Sequence, residues 1–370
     1  MNSLFYELIR VAIGTQDSLS RLPSQKEWKA LYDMAKKQSL VGVCFAALQR
    51  LGADADEGFA RIGMSERLYL TWMGMTAQIQ KKNETVNQQC AELQAKLSAD
   101  GLRSCILKGQ GVASLYSELL LGLRQSGDID LWVDADAESV IKYVKKVSPT
   151  NDIERKHISL KIFEDTEVEV HWVPSELDNP FKNKKLKAWY ESEKNACFEN
   201  RIKIGVGGSE ICVPTVEFNV IYLLLHIYEH YLYEGVGLRQ MMDYYFALCA
   251  SYDNHADNDN LSDTLRSLGL MKFAGAVMYV MREVFGMEEE KLLCEPDEVF
   301  GKRLLDEIMV GGNFGKYGKD GHHKDESKGE WAVRRLGRTL RLFRYDPIGA
   351  MCRPIIRLRL ALWYKKLNNN

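Results

Sequence analysis

Two aspartates at alternate positions of an apolar segment are the residues of this chain best suited to chemistry. Asp128 and Asp130 lie within the segment 123–133 and are separated only by Ile129. On a β-strand, alternate side chains share a face, so both carboxylates would point to one side while Ile129 and Leu131 point to the other. Carboxylates this close repel each other, and Mg²⁺ completed by substrate phosphates would relieve the repulsion. Taken alone, the pair also fits a turn-capping Asp128 beside a solvated Asp130.

A glycine turn precedes this pair in the chain. A short apolar run ends at Lys108, Gly109 and Gln110. Glycine at the end of a strand lets backbone N–H groups approach a phosphate closely, and the N-terminus of a following helix adds a favourable dipole. Lys108 and Arg124 supply positive charge for the same anion. The pattern predicts a phosphate-binding turn, and its alternative is an ordinary strand-to-helix connection.

A third carboxylate follows on a predicted β-hairpin around the polar turn 164–167. In its second strand, Glu169 and His171 point away from the apolar face, toward the side that would carry Asp128 and Asp130. Three carboxylates there would form a two-metal cradle, in which one ion clamps a triphosphate and the other lowers the pKa of an attacking hydroxyl. A solvated strand residue is the alternative for Glu169.

Hydrophobic periodicity predicts the elements that position these residues. Residues 4–98 read as helical, with the clearest helix at about 72–98 ending at Asp100 and Gly101. The helical period returns at 215 and continues to about 293, with Thr215 as an N-cap. Between these regions we expect short strands and helices. The predicted strands are 104–107, 129–133, 160–163, 168–172, 201–204 and 211–213, and the predicted helices are 112–120 and 139–147.

These elements predict an α+β fold in which helical regions flank a small mixed β-sheet core. The expected domains are an N-terminal helical region at 1–98, an α/β core at 99–214 and a C-terminal helical region at 215–370. The last includes a mobile glycine-rich loop at 311–329 and a basic tail. The loop is not a Walker A site, because only three residues separate Gly311 from Gly315 and Tyr317 occupies the Ser/Thr position.

Composition excludes several classes of protein. The chain has 370 residues, 46% hydrophobic and 27% charged, as in ordinary globular proteins. No apolar run approaches the roughly 20 residues of a membrane span, and the first residues lack a signal-peptide pattern, so we expect a cytoplasmic protein. The eight cysteines contain no C-x-x-C pair, which argues against a disulfide framework and against a cysteine zinc site.

The carboxyl end is strongly basic. From Trp331 onward, ten basic residues face one acidic residue, giving this end a charge of +9 in a chain whose net charge is −2. Such an end could contact an anionic partner such as nucleic acid or a membrane surface, or form a helix with solvated cations against the acidic body.

Two further pairs lie in the C-terminal helical region. His226 and His230 are one helical turn apart and could bind zinc, but Ile227 stands where a metalloprotease has glutamate, which favours a packing or substrate-facing role. Arg239 and Asp243 are four residues apart and would either pair along a helix or line an acceptor pocket. The histidines 322 and 323 fall in the predicted mobile loop, where we expect solvent exposure.

The motifs also occur in a characteristic order. They are Leu107 to Gly109, Leu115 with Tyr116, Arg124 with Gly127 to Leu131, the segments 168–172 and 224–230, and Leu238 with Arg239 and Asp243. This order resembles the uncharacterised bacterial nucleotidyltransferase family of the polymerase-β-like superfamily, over roughly residues 80–250 and, more loosely, the basic carboxyl end. The resemblance implies the nucleotidyltransferase fold, metal ligands at Asp128 and Asp130, a third carboxylate at Glu169 and a glycine turn at Gly109. Where the wider superfamily has Gly-Ser, this chain has Gly109-Gln110.

Together these features predict a metal-dependent nucleotidyltransferase that moves a nucleoside monophosphate from an NTP such as ATP to an acceptor hydroxyl, releasing pyrophosphate. Asp128, Asp130 and Glu169 would hold two Mg²⁺ ions, with Glu169 also acting as base. The NTP phosphates would be held by Lys108, Gly109, Gln110 and Arg124. The acceptor could be a small molecule, a protein side chain or an RNA end, and the oligomeric state is open. The alternatives are a catalytically silent nucleotidyltransferase fold that serves as a binding or regulatory module and, less favoured, a metal hydrolase using His226 and His230.

Overall fold

The N-terminal region is helical, as predicted. A computed structural model describes residues 1–53, 58–150, 152–205, 207–317 and 342–368, with side chains described up to residue 365. A capping box begins the second helix, because Ser24 accepts from the backbone of Glu27 and Glu27 returns a bond to the backbone of Ser24. The helices of this region are α1 (Asn2–Ile13), α2 (Gln25–Lys37), α3 (Val41–Arg50), α4 (Gly58–Arg61) and α5 (Glu66–Ala99).

Helix α5 connects these helices to a β-sheet. Its N-terminal half contributes Trp72 and Ile79 to a large helical core. Its C-terminal half contributes Val86 and Leu93 to a separate core beneath the sheet. The periodic apolar positions that predicted this helix therefore serve two different cores.

The sheet has four strands and lies between helices. The strands are β1 (Ser104–Leu107), β2 (Ile129–Val133), β3 (His157–Ser159) and β4 (Val168–His171), and the connecting helices are α6 (Lys108–Ala113) and α7 (Ala137–Val147). The strand order is β1-β2-β4-β3, in which β2 and β4 are parallel and the two outer pairs are antiparallel. Asp136 caps α7 by accepting from the backbone N–H of Ser139.

The two faces of this sheet have different partners. Ile129, Leu131 and Val170 share a core with α5 and α7. On the opposite face, Trp132 stacks on Phe218 with ring centroids 5.8 Å apart. The polar residues of that face therefore lie between the sheet and the C-terminal helices.

The C-terminal region is mainly helical and includes a small hairpin. Thr215 accepts from the backbone N–H of Phe218 and so caps the helix that it was predicted to begin. The elements are α8 (Pro180–Glu199), β5 (Arg201–Ile204) paired with β6 (Ser209–Cys212), α9 (Val216–Tyr233), α10 (Leu238–Asp253), α11 (Asn258–Leu268), α12 (Met271–Phe285), α13 (Glu298–Gly311) and α14 (Pro347–Asn368). None of the helices in the described ranges combines the length and the hydropathy needed to cross a membrane.

Two predicted elements of the core are wrong in position. A helix was predicted at 112–120, but the helix of this region, α6, begins directly after β1 and ends at Ala113. A 3₁₀ turn occupies Glu118–Leu120. The strand predicted at 160–163 is β3, which ends at Ser159. Leu160 makes the last ladder bond, from its N–H to the carbonyl of Val168, and the chain then leaves the sheet.

The predicted α+β class is confirmed, with helices on both sides of a small mixed sheet. The domain boundaries at 98 and 214 stay predictions. Residues 318–329 of the predicted mobile loop, including histidines 322 and 323, lie outside the described residues, as do the basic residues at 334, 335, 338 and 341.

Candidate metal and nucleotide site

Strand register brings the three predicted carboxylates together. In the parallel pair β2–β4, Asp130 lies opposite Glu169, so both side chains share one face of the sheet. Asp128 precedes β2 by one residue. Asp128, Asp130 and Glu169 can each offer a carboxylate oxygen within 4.8 Å of the others. The geometry that alternation predicted for these residues is therefore present.

A lysine and a histidine contact this cluster. Lys108 Nζ lies 2.7 Å from Asp130 Oδ1. His171 Nε2 donates to the same oxygen at 3.0 Å and to Glu169 Oε2 at 3.2 Å. Asp130 and His171 are almost fully buried, whereas the Glu169 side chain is 30% exposed. Asp130 therefore has both a lysine and a histidine as partners, while Glu169 faces the solvent side.

These contacts determine the protonation of the cluster. Burial opposes ionisation of Asp130, but Lys108 and His171 outweigh it and hold the pKa of Asp130 below its usual range. The charge of Asp130, followed by burial, raises the pKa of Asp128. Burial also opposes ionisation of Glu169, but the hydrogen bond from His171 lowers its pKa overall. The cluster therefore carries an excess of negative charge, which Lys108 only partly offsets.

The glycine turn has a strained backbone. Lys108 adopts φ 43°, which is uncommon for a residue with a side chain, and Gly109 adopts φ 42° and ψ −116°, a conformation open essentially only to glycine. Both residues line a cavity in front of the carboxylates. Gln110 is buried, and its side-chain amide donates to Asn87 Oδ1 on α5. The Gln110 side chain therefore contacts α5, and Gln110 is not among the residues that line the cavity.

Arg124 is held by a buried carboxylate. Its Nε and Nη2 donate to the two oxygens of Asp243 on α10, at 2.6 Å and 2.8 Å. Tyr116 Oη donates to Asp243 as well, at 2.7 Å. Nη1 of Arg124 is buried without a hydrogen-bond partner. Arg239, predicted either to pair with Asp243 or to line a pocket, donates instead to the carbonyl of Gln125 at 2.9 Å and lines the cavity.

The cavity in front of the sheet has a volume of about 630 Å³. One wall carries the carboxylates and Lys108, and the opposite wall is formed by α9, α10 and α14. Arg353 of α14 lies 3.7 Å from Asp178 and stacks on the Tyr233 ring at 3.9 Å. One of the two predictions for the basic tail placed it against the acidic body, and Arg353 makes a contact of this kind.

The histidines of α9 face this cavity. Their Nε2 atoms are 3.1 Å apart, and His230 Nδ1 lies 2.9 Å from Glu234 Oε2. Burial, followed by the charge of Lys108, holds the pKa of His226 well below its ordinary value, so this imidazole is neutral at pH 7. His226 and His230 thus line the wall opposite the carboxylates.

The sequence patterns did not predict His157, which lies beside the carboxylates. It is directly opposite His171 in the antiparallel pair β3–β4, and the two ring centroids are 4.9 Å apart. Its Nδ1 is 3.4 Å from Glu169 Oε2 and has no hydrogen-bond partner. Burial, followed by the charge of His171, lowers the pKa of His157 to about 4. Placing the first hairpin strand at 157–159 would have revealed it, because His157 and Ser159 then alternate with Ile158.

Two overlapping donor sets in the described residues fit a metal ion. Asp128, Asp130 and Glu169 offer only carboxylate oxygens, which are the ligands that Mg²⁺ prefers. His157, Glu169 and His171 offer two imidazoles and one carboxylate, also within 4.8 Å of one another. The first set matches the predicted magnesium site.

Comparison with known proteins gives one family match. A model of a family described as "Uncharacterised nucleotidyltransferase" matches residues 24–286, a range that includes every predicted site residue. No curated protein matches the chain. Among solved structures, the chain is similar to an antigenic nucleotidyltransferase-like protein from Paracoccidioides brasiliensis, with 15% identity over 44% of this chain and 75% of that one and a TM-score of 0.28.

Proposed function

The chain belongs to the uncharacterised nucleotidyltransferase family, and from this membership we propose that it transfers a nucleoside monophosphate from an NTP to an acceptor hydroxyl. The family match confirms the resemblance that the ordered motifs indicated. The observation that carries the proposal is the register of β2 against β4, which sets Glu169 beside Asp130 and completes a group of three carboxylates with Asp128.

The charge of the cluster favours a divalent cation. Three ionised carboxylates carry −3, and Lys108 offsets only one of these charges. One Mg²⁺ would offset the two that remain. Bound there, Mg²⁺ would neutralise charge on the phosphates and favour ionisation of the attacking hydroxyl. Asp128 and Asp130 would hold the first ion, and Glu169 would help to hold a second.

The residues at the cavity floor would bind and orient the NTP. The strained turn at Lys108 and Gly109 faces the cavity, so backbone N–H groups there would approach the phosphates without a side chain between them. Lys108 would transfer its contact from Asp130 to a phosphate oxygen when a metal ion takes over that carboxylate. Arg124 would contribute Nη1, since its other nitrogens are committed to Asp243.

Glu169 would act as base for the acceptor. Its lowered pKa leaves it ionised at pH 7, and its partial exposure gives an acceptor hydroxyl access. The hydroxyl proton passes to Glu169 as the oxygen bonds to the α-phosphorus, and the bond from that phosphorus to the β-phosphate oxygen breaks, releasing pyrophosphate. The wall with His226 and His230 would face the acceptor, whose class stays open between a small molecule, a protein side chain and an RNA end.

A second candidate is a catalytically silent member of the same family. The contact between Lys108 Nζ and Asp130 Oδ1 favours it, because a lysine ammonium already neutralises the carboxylate that a metal ion would need. Such a protein would bind nucleotide or a partner without transfer. The two candidates differ in whether NTP binding depends on Mg²⁺.

Titration calorimetry with a non-hydrolysable NTP tests the proposal. We expect binding that requires Mg²⁺ and that is lost when Asp128 and Asp130 are replaced by Asn. Asp134→Asn is the matched control, because Asp134 follows the same strand but pairs with Arg103 and Lys194 outside the carboxylate group. Binding that is equally strong without Mg²⁺ would favour the silent member, and binding unaffected by the double replacement would contradict the proposed site.

A further inference from the structure

The two histidines beside Glu169 form a donor set of their own. His157 and His171 lie directly opposite each other on β3 and β4, on the face that carries Glu169. Their side chains are 7% and 1% exposed. A pair of buried imidazoles next to a carboxylate is a set that zinc and similar transition metals prefer, whereas Mg²⁺ prefers oxygen ligands alone.

Two of the distances within this set are close to those between ligand atoms that share one ion. Glu169 Oε2 lies 3.2 Å from His171 Nε2 and 3.4 Å from His157 Nδ1. Ligand atoms at about 2.0–2.1 Å from a tetrahedral ion are about 3.3–3.4 Å from each other. The His157 contact does not qualify as a hydrogen bond, so its Nδ1 is a buried polar atom without a partner. Leaving such an atom unpaired costs about 1–3 kcal/mol.

One neighbouring group competes for this set, because His171 Nε2 also hydrogen-bonds to Asp130 Oδ1 at 3.0 Å, and metal binding through that nitrogen would replace this bond. Lys108 contacts Asp130 and has no ion pair with Glu169 or the histidines. The other ring nitrogen of His157, Nε2, lies 3.8 Å from Glu154 Oε2. A carboxylate on the far side of a histidine is the usual support for a metal-binding imidazole. At 3.8 Å the Glu154 contact is longer than a hydrogen bond, so Glu154 supplies only a negative charge on the far side of His157.

We propose that His157, Glu169 and His171 bind a divalent transition-metal ion, with Zn²⁺ as the representative, at a site distinct from the Asp128–Asp130 magnesium site. The site supplies three protein ligands and leaves further coordination positions to solvent or substrate, as in zinc sites that are not purely structural. Glu169 belongs to both donor sets, so the two ions would be neighbours. The proposal concerns metal binding and does not depend on nucleotidyl transfer.

Zinc binding to the chelator-treated full-length protein tests the proposal. Affinity is measured by competition with a chromophoric chelator in excess Mg²⁺. We expect one Zn²⁺ per chain, with an affinity at least about 10-fold lower in His157→Asn and in His171→Asn. His230→Asn is the matched control, because it removes an imidazole from the same cavity without touching the set, and it should bind Zn²⁺ as the unmodified chain does.

Several outcomes would overturn the proposal. These are failure of the unmodified chain to bind one Zn²⁺, unchanged affinity in His157→Asn, and a loss in His230→Asn as large as that in His157→Asn. In the unmodified chain, bound Co²⁺ provides a check that needs no variant: its visible absorption should disappear on addition of Zn²⁺ and persist with Mg²⁺, and displacement by Mg²⁺ would contradict a site with imidazole ligands.

The variant Asp128→Asn separates this inference from the proposed function. It should keep Zn²⁺ affinity while losing Mg²⁺-dependent NTP binding. Zinc binding in a chain that shows no Mg²⁺-dependent NTP binding would overturn the proposed function alone. NTP binding in a chain that shows no zinc binding would overturn the metal inference alone.

Discussion

Replacing Asp243 with leucine should strongly destabilise the protein, because it leaves Arg124 buried without a counter-charge. The two side chains are each 6% exposed and joined by two short charge-assisted hydrogen bonds. Breaking one partner of a buried ion pair costs about 3–5 kcal/mol. Asp243 also accepts from the Tyr116 hydroxyl, and losing that bond adds about 1 kcal/mol. We therefore expect the free energy of unfolding to fall by about 4–6 kcal/mol.

A double-mutant cycle isolates the ion pair within that loss. Arg124→Met alone should cost less than Asp243→Leu, because Tyr116 still donates to the remaining carboxylate. The double variant should cost less than the sum of the single changes by at least about 2 kcal/mol, since neither charge is then stranded. Urea denaturation followed by circular dichroism measures each value.

The exposed pair between Arg103 and Asp134 is the control for this cycle. Their side chains are 49% and 23% exposed, so Arg103→Met should cost no more than about 1 kcal/mol. Additive effects of Arg124→Met and Asp243→Leu, or a cost for Asp243→Leu as small as that for Arg103→Met, would refute the argument that Asp243 anchors Arg124 beside the cavity.

Two further changes test how the site is positioned. Gly111→Ala would put a Cβ 2.3 Å from the Ile106 carbonyl oxygen, so α6 must move away from β1. We expect the free energy of unfolding, measured by urea denaturation, to fall by about 1–3 kcal/mol and NTP binding in calorimetry to weaken. Gly74→Ala in α5 meets no atom within 4 Å and should instead stabilise the chain by about 0.5–1 kcal/mol, and equal effects of the two replacements would contradict this account. The depressed pKa of His226 makes stability depend on pH. Below the ordinary histidine pKa of 6.5, the unfolded chain takes up a proton at this imidazole and the folded chain does not, so the free energy of unfolding falls as the pH drops below 6.5. His226→Phe should reduce the slope of unfolding free energy against pH between pH 6 and pH 5 by up to about 1.4 kcal/mol per pH unit, and an unchanged slope would show that His226 is protonated in the folded chain.

Local sequence patterns predicted the part of the site that depends on strand geometry. Alternation placed Asp130 and Glu169 on one face, and the pairing of β2 with β4 puts them side by side. The glycine turn also lies where it was predicted, because the backbone conformation of Gly109 is a local property. These features could be predicted because side-chain direction in a strand follows position alone.

Partners distant in the chain could not be predicted in the same way. Arg124 and Asp243 are 119 residues apart, and the packing of α10 beside α6 brings them together. His157 was missed because the apolar run at 160–163 was a stronger strand signal than the polar segment that forms β3. Lys108 has a positive φ and contacts Asp130, and no local pattern requires either of a lysine.

Transfer of a radiolabel from NTP tests the central claim most directly. The protein is incubated with Mg²⁺, a desalted cell extract as the source of acceptor, and NTP labelled at either the α- or the γ-phosphate. We predict that the α-label becomes attached to an acceptor with release of pyrophosphate, and that Asp128→Asn with Asp130→Asn abolishes this attachment while Asp134→Asn does not. Attachment of the γ-label in place of the α-label, or equal α-labelling by the double variant, would contradict nucleotidyl transfer at this site.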